Sequence, residues 1–183
     1  FEASSLKRFY ETDGVDPERP VMGPQYLESW EGHHTAELFE KYPLAMVSPH
    51  PRYSYHTVGD AKESWSNDIK NHRVEVDGHH YWIMRVNSAD AAARGIKDGD
   101  LIRAFNDRAE VILAAQVTER VPPGVVHSYE SCGDYQPLGE PGYSPDTAGC
   151  INMLTSMRFI TPTSPGQAPN SCLVQVERWS GAS

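Results

Sequence analysis

Apolar residues in this chain fall into short runs separated by turn signals, and that spacing limits the fold more than any other feature. Residues 44–47, 81–86, 101–105, 111–118, 125–129 and 172–179 each have strand length. The runs at 101, 111 and 125 start ten to fourteen residues apart, a spacing that suits a closed barrel better than a parallel α/β sheet. Gly and Pro number 14 each and supply the turns between runs. Asp77-Gly78 is a hairpin signal between 73–76 and the run that follows. The expected fold is mainly β, a barrel of six to seven strands with short helices.

One helix is well signalled. Residues 86–100 read Val-Asn-Ser-Ala-Asp-Ala-Ala-Ala-Arg-Gly-Ile-Lys-Asp-Gly-Asp. Ser88 is the expected N-cap, Asp90 suits the positive start of the helix, and Gly95 suits the position just past its end. Asn87 stands where the strand gives way to this helix. An amide there either caps backbone or bonds the donor and acceptor edge of a purine. A second short helix is expected over 35–42, with Thr35 as its cap. Residues 1–40 otherwise read as an extension, with an acid-, Gly- and Pro-rich stretch at 13–24, and are not expected to fold alone.

Bulk properties exclude several classes. The net charge of −9 argues against nonspecific nucleic-acid binding, which needs clustered Lys and Arg. No apolar run approaches the roughly 18 residues of a membrane span. The three cysteines, Cys132, Cys150 and Cys172, are widely spaced and form no C-x-x-C, so neither an iron–sulfur cluster nor a structural zinc site is expected in this segment. Free thiols suit a reducing compartment, and a cytoplasmic location is expected. The chain starts Phe-Glu-Ala without a methionine and is expected to be a piece of a longer protein.

The chemistry concentrates in residues 43–57, Pro-Leu-Ala-Met-Val-Ser-Pro-His-Pro-Arg-Tyr-Ser-Tyr-His-Thr. A short apolar strand ends in a loop that gathers Arg52, hydroxyls, His and Tyr at one point, which suits a large, polar, phosphorylated ligand. Metal ligation is not expected. His50 and His56 lack a third ligand nearby, and the neighbours in His33-His34 and His79-His80 point apart on a strand. Ser54, His56 and Asp60 could be arranged as nucleophile, base and orienter, but they crowd one loop without a Gly-x-Ser-x-Gly elbow. In the Gly- and Pro-rich loop 131–150, Asp134 and Tyr135 either close over a substrate funnel or form a docking surface for other domains.

Five segments in one order carry a family resemblance: 48–57, 86–100, Val117-Thr118 with Pro123-Gly124-Val125-Val126, 149–155 (Gly-Cys-Ile-Asn-Met-Leu-Thr), and Ser171-Cys172-Leu173-Val174. That order resembles the C-terminal, molybdopterin-dinucleotide-binding domain of the dimethyl-sulfoxide-reductase family of molybdenum and tungsten oxidoreductases. Gly23-Pro24-Gln25-Tyr26 also looks like that family's approach to this domain. The resemblance implies a double-psi β-barrel at 41–183, following catalytic domains to which 1–40 links. It implies molybdopterin guanine dinucleotide (bis-MGD) as cofactor, with molybdenum or tungsten held by the full-length enzyme and no metal ligand here.

It further implies that the 48–57 loop wraps the pterin and phosphate portion of one dinucleotide through Ser48, His50, Arg52, Tyr53, Ser54, His56 and Thr57. Arg52 would make the charge-assisted contact. Asn87 and Asp90 join the cofactor set, as does Asn152, which matches the family's Asn ahead of Leu-Thr. Asn170 stands where the family often has Lys, so a contact there becomes neutral. Arg108-Ala109 replaces the usual Gly in a hairpin. Within the family, His50-Pro51-Arg52-Tyr53-Ser54-Tyr55-His56 and Glu130-Ser131-Cys132-Gly133-Asp134-Tyr135 look most like a branch that transfers a hydroxyl between trihydroxybenzenes. That branch implies a small aromatic substrate, reached past Tyr135, and a small iron–sulfur partner subunit. A stand-alone barrel binding peptide or protein is the alternative, since such barrels also occur as adaptors.

Overall fold

The computed structural model describes residues 26, 28–51, 72–130, 132, 134–161, 164–167 and 170–181. Among the described residues there are two α-helices, α1 (Ala36–Lys41) and α2 (Ser88–Ala93). The strands are β1 (Leu44–Val47), β2 (Arg73–Val76), β3 (His79–Val86), β4 (Leu101–Phe105), β5 (Glu110–Val117), β6 (Val125–Ser128), β7 (Phe159–Thr161), β8 (Ser164–Gln167) and β9 (Leu173–Arg178). Ile151–Leu154 forms one 3₁₀ turn.

Six strands close into a ring. The main sheet runs β2-β3-β5-β4-β9-β1-β6, and β3 also pairs with β6. β2 therefore hangs outside a closed barrel of β3, β5, β4, β9, β1 and β6. Two pairs are parallel, β1 with β6 and β3 with β5, and the other four contacts around the ring are antiparallel. This closed, mixed ring fits the expected double-psi barrel, with the expected number of strands and only short helices.

Alternation fills the interior. Met46, Met84, Val86, Ile102, Ala104, Val126, Val174 and Val176 point inward and are buried. Each such side chain contributes about 1.5–3 kcal/mol relative to exposure. β5 is buried on both faces from Val111 to Ala115. Its outer face is covered by the 134–150 loop, where Ile112 N–H donates to Asp146 O at 2.8 Å and Asp146 N–H donates to Glu110 O at 3.0 Å.

That loop is anchored by one carboxylate. Asp146 is fully buried, and its oxygens accept N–H bonds from Gln136 (2.8 Å), Ala148 (3.2 Å), Gly149 (2.9 Å) and Cys150 (2.8 Å). Four donors satisfy a charge that would otherwise be costly to bury. Gly149 is required beside it. Its φ is +89°, and a Cβ there would lie 2.3 Å from Trp82 Cδ1. The β2–β3 hairpin turns through Asp77 (φ 51°) and Gly78 (φ 79°), the pair of positive angles that a type I′ turn needs.

Two capping expectations are corrected. The cap of α2 is Asn87, not Ser88. Asn87 Oδ1 accepts Ala89 N–H at 2.9 Å, whereas Ser88 already lies in the helix and its hydroxyl reaches Glu119. Thr35 does precede α1, but its hydroxyl donates to Gly32 O at 2.6 Å and accepts Gly32 N–H at 3.1 Å, turning back instead of capping forward. The acid-, Gly- and Pro-rich stretch at 13–24 lies outside the described residues.

Part of the N-terminal extension docks on the barrel. Glu31 is 6% exposed and takes a two-pronged contact from Arg108, at 2.6 and 3.1 Å. It also accepts Leu173 N–H at 2.9 Å, while its own N–H donates to Ser171 Oγ at 2.9 Å. The Arg108-Ala109 departure thus has a structural use, binding the incoming chain to the start of β9.

Candidate functional site

The two parallel strands β1 and β6 deliver their C-terminal ends to one place. Val47 is level with His127, so Ser48-Pro49-His50 emerges beside Glu130. The segment before β9 and the 3₁₀ turn close the other sides. The result is a cleft of about 510 Å³ that holds Ser48, His50, Asn152 and Asn170 together, with Glu130, Thr155, Ser156 and Met157 also on its walls. Four residues expected from the sequence to contact one ligand therefore share one cavity.

The hydrogen bonding in this cleft is incomplete. Ser48 is 6% exposed, and its Oγ has no hydrogen-bond partner among the described residues. A buried hydroxyl left unpaired costs about 1–3 kcal/mol, so it is an acceptor and donor waiting for a ligand. Asn170 Oδ1 accepts Ser48 N–H at 3.2 Å, which leaves the Nδ2 donors of that amide for another partner. Asn152 is exposed and uses its backbone carbonyl to hold Thr155, with N–H at 3.1 Å and Oγ1 at 2.8 Å. The His50 ring meets the Glu130 carboxylate at the mouth of the cleft.

Below the cleft the barrel end is tied down. Asn106 Nδ2 donates to Leu154 O at 2.8 Å and Leu173 O at 3.1 Å. Arg108 Nε donates to the same Leu154 carbonyl at 2.7 Å. Cys172 is buried here, and burial pushes its thiol up to about 11, so it stays protonated. All three cysteines are free thiols.

Asn87 and Asp90 lie at the other end of β6. Val86 pairs with Val126, so the strand that delivers Asn87 runs away from Ser48. The two places are separated by about 10 Å of strand rise, from roughly 3.3 Å per residue. The Asn87 amide is also spent on protein, with Nδ2 donating to Val121 O at 2.9 Å and Glu119 Oε2 at 3.2 Å. Asp90 Oδ2 accepts Gly124 N–H at 2.7 Å. Arg52, Tyr53, Ser54, His56 and Thr57 lie outside the described residues, as does the Ser54–His56–Asp60 arrangement. Tyr135 is 43% exposed, and its phenol oxygen accepts Gly142 N–H at 2.7 Å, inside its own loop.

Sequence reasoning missed Thr155, Ser156 and the role of Glu130 in the cleft. Glu130 had one available signal, its place two residues past a strand parallel to β1. Thr155 had its place at the end of the 149–155 motif, and Ser156 had none, because a single 3₁₀ turn has no periodicity to read.

A closed mixed β-barrel with a polar, incompletely bonded cleft at the ends of two parallel strands defines a ligand-binding domain. The residues from 44 to 173 match the molydopterin dinucleotide binding domain, and the chain belongs to that family. It is 59% identical over 99% of its length to the pyrogallol hydroxytransferase large subunit of Pelobacter acidigallici, and covers 21% of that protein. It is 35% identical over 86% of its length to a trimethylamine-N-oxide reductase of Haemophilus influenzae, covering 18% of it. Acetylene hydratase from Pelobacter acetylenicus shares the fold, with a TM-score of 0.63 at 16% identity over 93% of this chain and 22% of that one. The chain thus spans about a fifth of the length of the relatives it matches. Among the described residues no helix is long and apolar enough to cross a membrane.

Proposed function

We propose that residues 41–183 grip one molybdopterin guanine dinucleotide of a bis-MGD cofactor in a longer molybdenum or tungsten enzyme, with residues 1–40 leading in from its catalytic domains. The observation that carries this is the buried Ser48 hydroxyl, without a partner among the described residues, in a cavity that also holds the Asn152 side chain and the Nδ2 donors of Asn170. That donor and acceptor set fits the edges of a pterin and the oxygens of a diphosphate. Arg52 supplies the charged contact from the neighbouring loop. A peptide-binding adaptor would instead need a continuous apolar groove, and six of the nine residues around this cleft carry hydroxyl, amide or carboxylate side chains.

The whole enzyme, on this reading, transfers a hydroxyl between trihydroxybenzenes without net redox change. The support is the 59% identity to a relative whose name states pyrogallol hydroxytransferase. That relative is a large subunit, which supports a multi-subunit enzyme; a small iron–sulfur subunit is the partner we assign. The three free thiols accord with the cytoplasm. The metal held by the pterins supplies the oxygen and electron chemistry when bound. This segment binds and orients, and its isolated form is not expected to turn over substrate.

The test uses the full-length enzyme. We expect molybdenum or tungsten, pterin fluorescence after oxidation, and conversion of pyrogallol to phloroglucinol. Arg52→Ala should lower cofactor content, since a charged bidentate contact contributes about 1.5–3 kcal/mol. Active protein free of both metals and pterin would overturn the binding reading. A cofactor-loaded enzyme inert to trihydroxybenzenes would overturn only the substrate.

A further inference from the structure

The assignment of the cleft to a pterin dinucleotide is the premise here; from the geometry we infer that Glu130 is the positioning residue of that site and acts through His50. Three consecutive residues after β1 line the cleft, Ser48, Pro49 and His50, and each is tied down separately. Ser48 N–H donates to Asn170 Oδ1 at 3.2 Å. Pro49 O accepts Glu130 N–H at 3.2 Å. The Glu130 carboxylate meets Nδ1 of His50. Pro49 has no N–H of its own, so it cannot add a donor tether. Glu130 therefore holds two of the three residues, one by its backbone and one by its side chain.

The two partners are unequal. The Glu130 side chain is 19% exposed and lies two residues past the end of β6, whereas the His50 side chain is 62% exposed. The carboxylate is the fixed member and the imidazole the one being placed. A carboxylate that accepts the Nδ1–H bond sets the orientation of the ring, so Glu130 decides where the rest of the imidazole lies at the cleft mouth. A bare carboxylate at the mouth of a phosphate-binding cleft would repel its ligand; paired with His50 it orients a donor. The function of Glu130 is therefore conditional on His50, and a residue with a merely structural role would not show that dependence.

The experiment measures cofactor release from the full-length holoenzyme, as molybdenum or tungsten retained after gel filtration and as oxidised-pterin fluorescence, alongside thermal unfolding. Glu130→Ala should speed release about tenfold, and His50→Ala by a similar factor. Glu130→Gln keeps an oxygen to accept Nδ1–H and should speed release only about threefold. The double variant should release no faster than His50→Ala alone. If Glu130→Ala fails to fold, Glu130→Gln takes its place, and its smaller effect must likewise vanish without His50. Glu130 effects that persist in full in the His50→Ala background overturn the inference, as does release at the wild-type rate. If Ser48→Ala, His50→Ala and Asn152→Ala all retain cofactor normally, the cleft assignment itself falls; if those three weaken retention and Glu130 variants do not, only the role of Glu130 falls.

Discussion

The two ends of β6 use similar residue types in opposite ways. At the helix end, Asn87 caps α2, bonds the Val121 carbonyl and reaches Glu119, and Asp90 holds Gly124 N–H. At the cleft end, Ser48 Oγ is buried without a partner among the described residues, and the amides of Asn152 and Asn170 are only partly used or uncommitted. On the function proposed above, the difference separates stability from binding. Polar groups satisfied within the chain rigidify it, while polar groups left open within a shaped cavity are available to a ligand.

Substitutions should pull the two ends apart. The largest effect is expected at Glu31, which fastens the incoming chain below the cleft. Glu31→Ala takes the carboxylate partner from Arg108, which keeps the Leu154 carbonyl, and leaves Leu173 N–H without its acceptor, and should lower stability by about 3 kcal/mol in thermal or denaturant unfolding. Asn87→Ala should cost about 1–3 kcal/mol through the lost cap and the orphaned Val121 carbonyl, with cofactor retention unchanged. Cofactor loss in a still-folded Asn87 variant would erase the contrast between the ends.

Acid should act on the wall beside the cleft. His72 and His127 are both held below the usual histidine range, by burial first and by Arg85 next. Their folded forms bind fewer protons than the unfolded chain, so stability is fully present above the ordinary histidine pKa of about 6.5 and falls as pH drops below it. His72→Gln should flatten that fall in urea titrations run between neutral and mildly acidic pH. The smallest effect on stability is expected from Ser48→Ala. Removing an unpaired hydroxyl should leave the apo fold unchanged or slightly firmer, while cofactor release quickens. A marked loss of apo stability in that variant would show that the hydroxyl already has a partner.

The strands were legible because each has its own pattern. Alternation in 101–105 and 172–179 and the Asp77-Gly78 turn needed no distant information. The cap of α2 was misplaced by one residue because Asn and Ser cap about equally well; what decides is Val121, which draws the Asn87 amide from beyond β5. Glu31 was unreadable for a related reason. Its burial depends on Arg108 and Leu173, neither near it in sequence. The β7–β8 hairpin was also missed, since Thr-Pro-Thr-Ser-Pro-Gly reads as loop. In the cleft, the sequence pointed to Ser48, His50, Asn152 and Asn170 through family likeness, and the structure brings these four together. Which hydroxyl would remain unpaired could not be read from the order of residues.

The place of β1 in the ring has a consequence for biosynthesis. Ala45 is flanked by Val125 on one side and Leu173 on the other, so the barrel strand that comes first in sequence is bracketed by strands made much later. At translation rates of about 5–20 residues per second, β1 waits several seconds for its last neighbour. Until Leu173–Arg178 leaves the ribosome the ring stays open and its apolar lining is bare, which makes nascent, C-terminally truncated chains natural clients for chaperones.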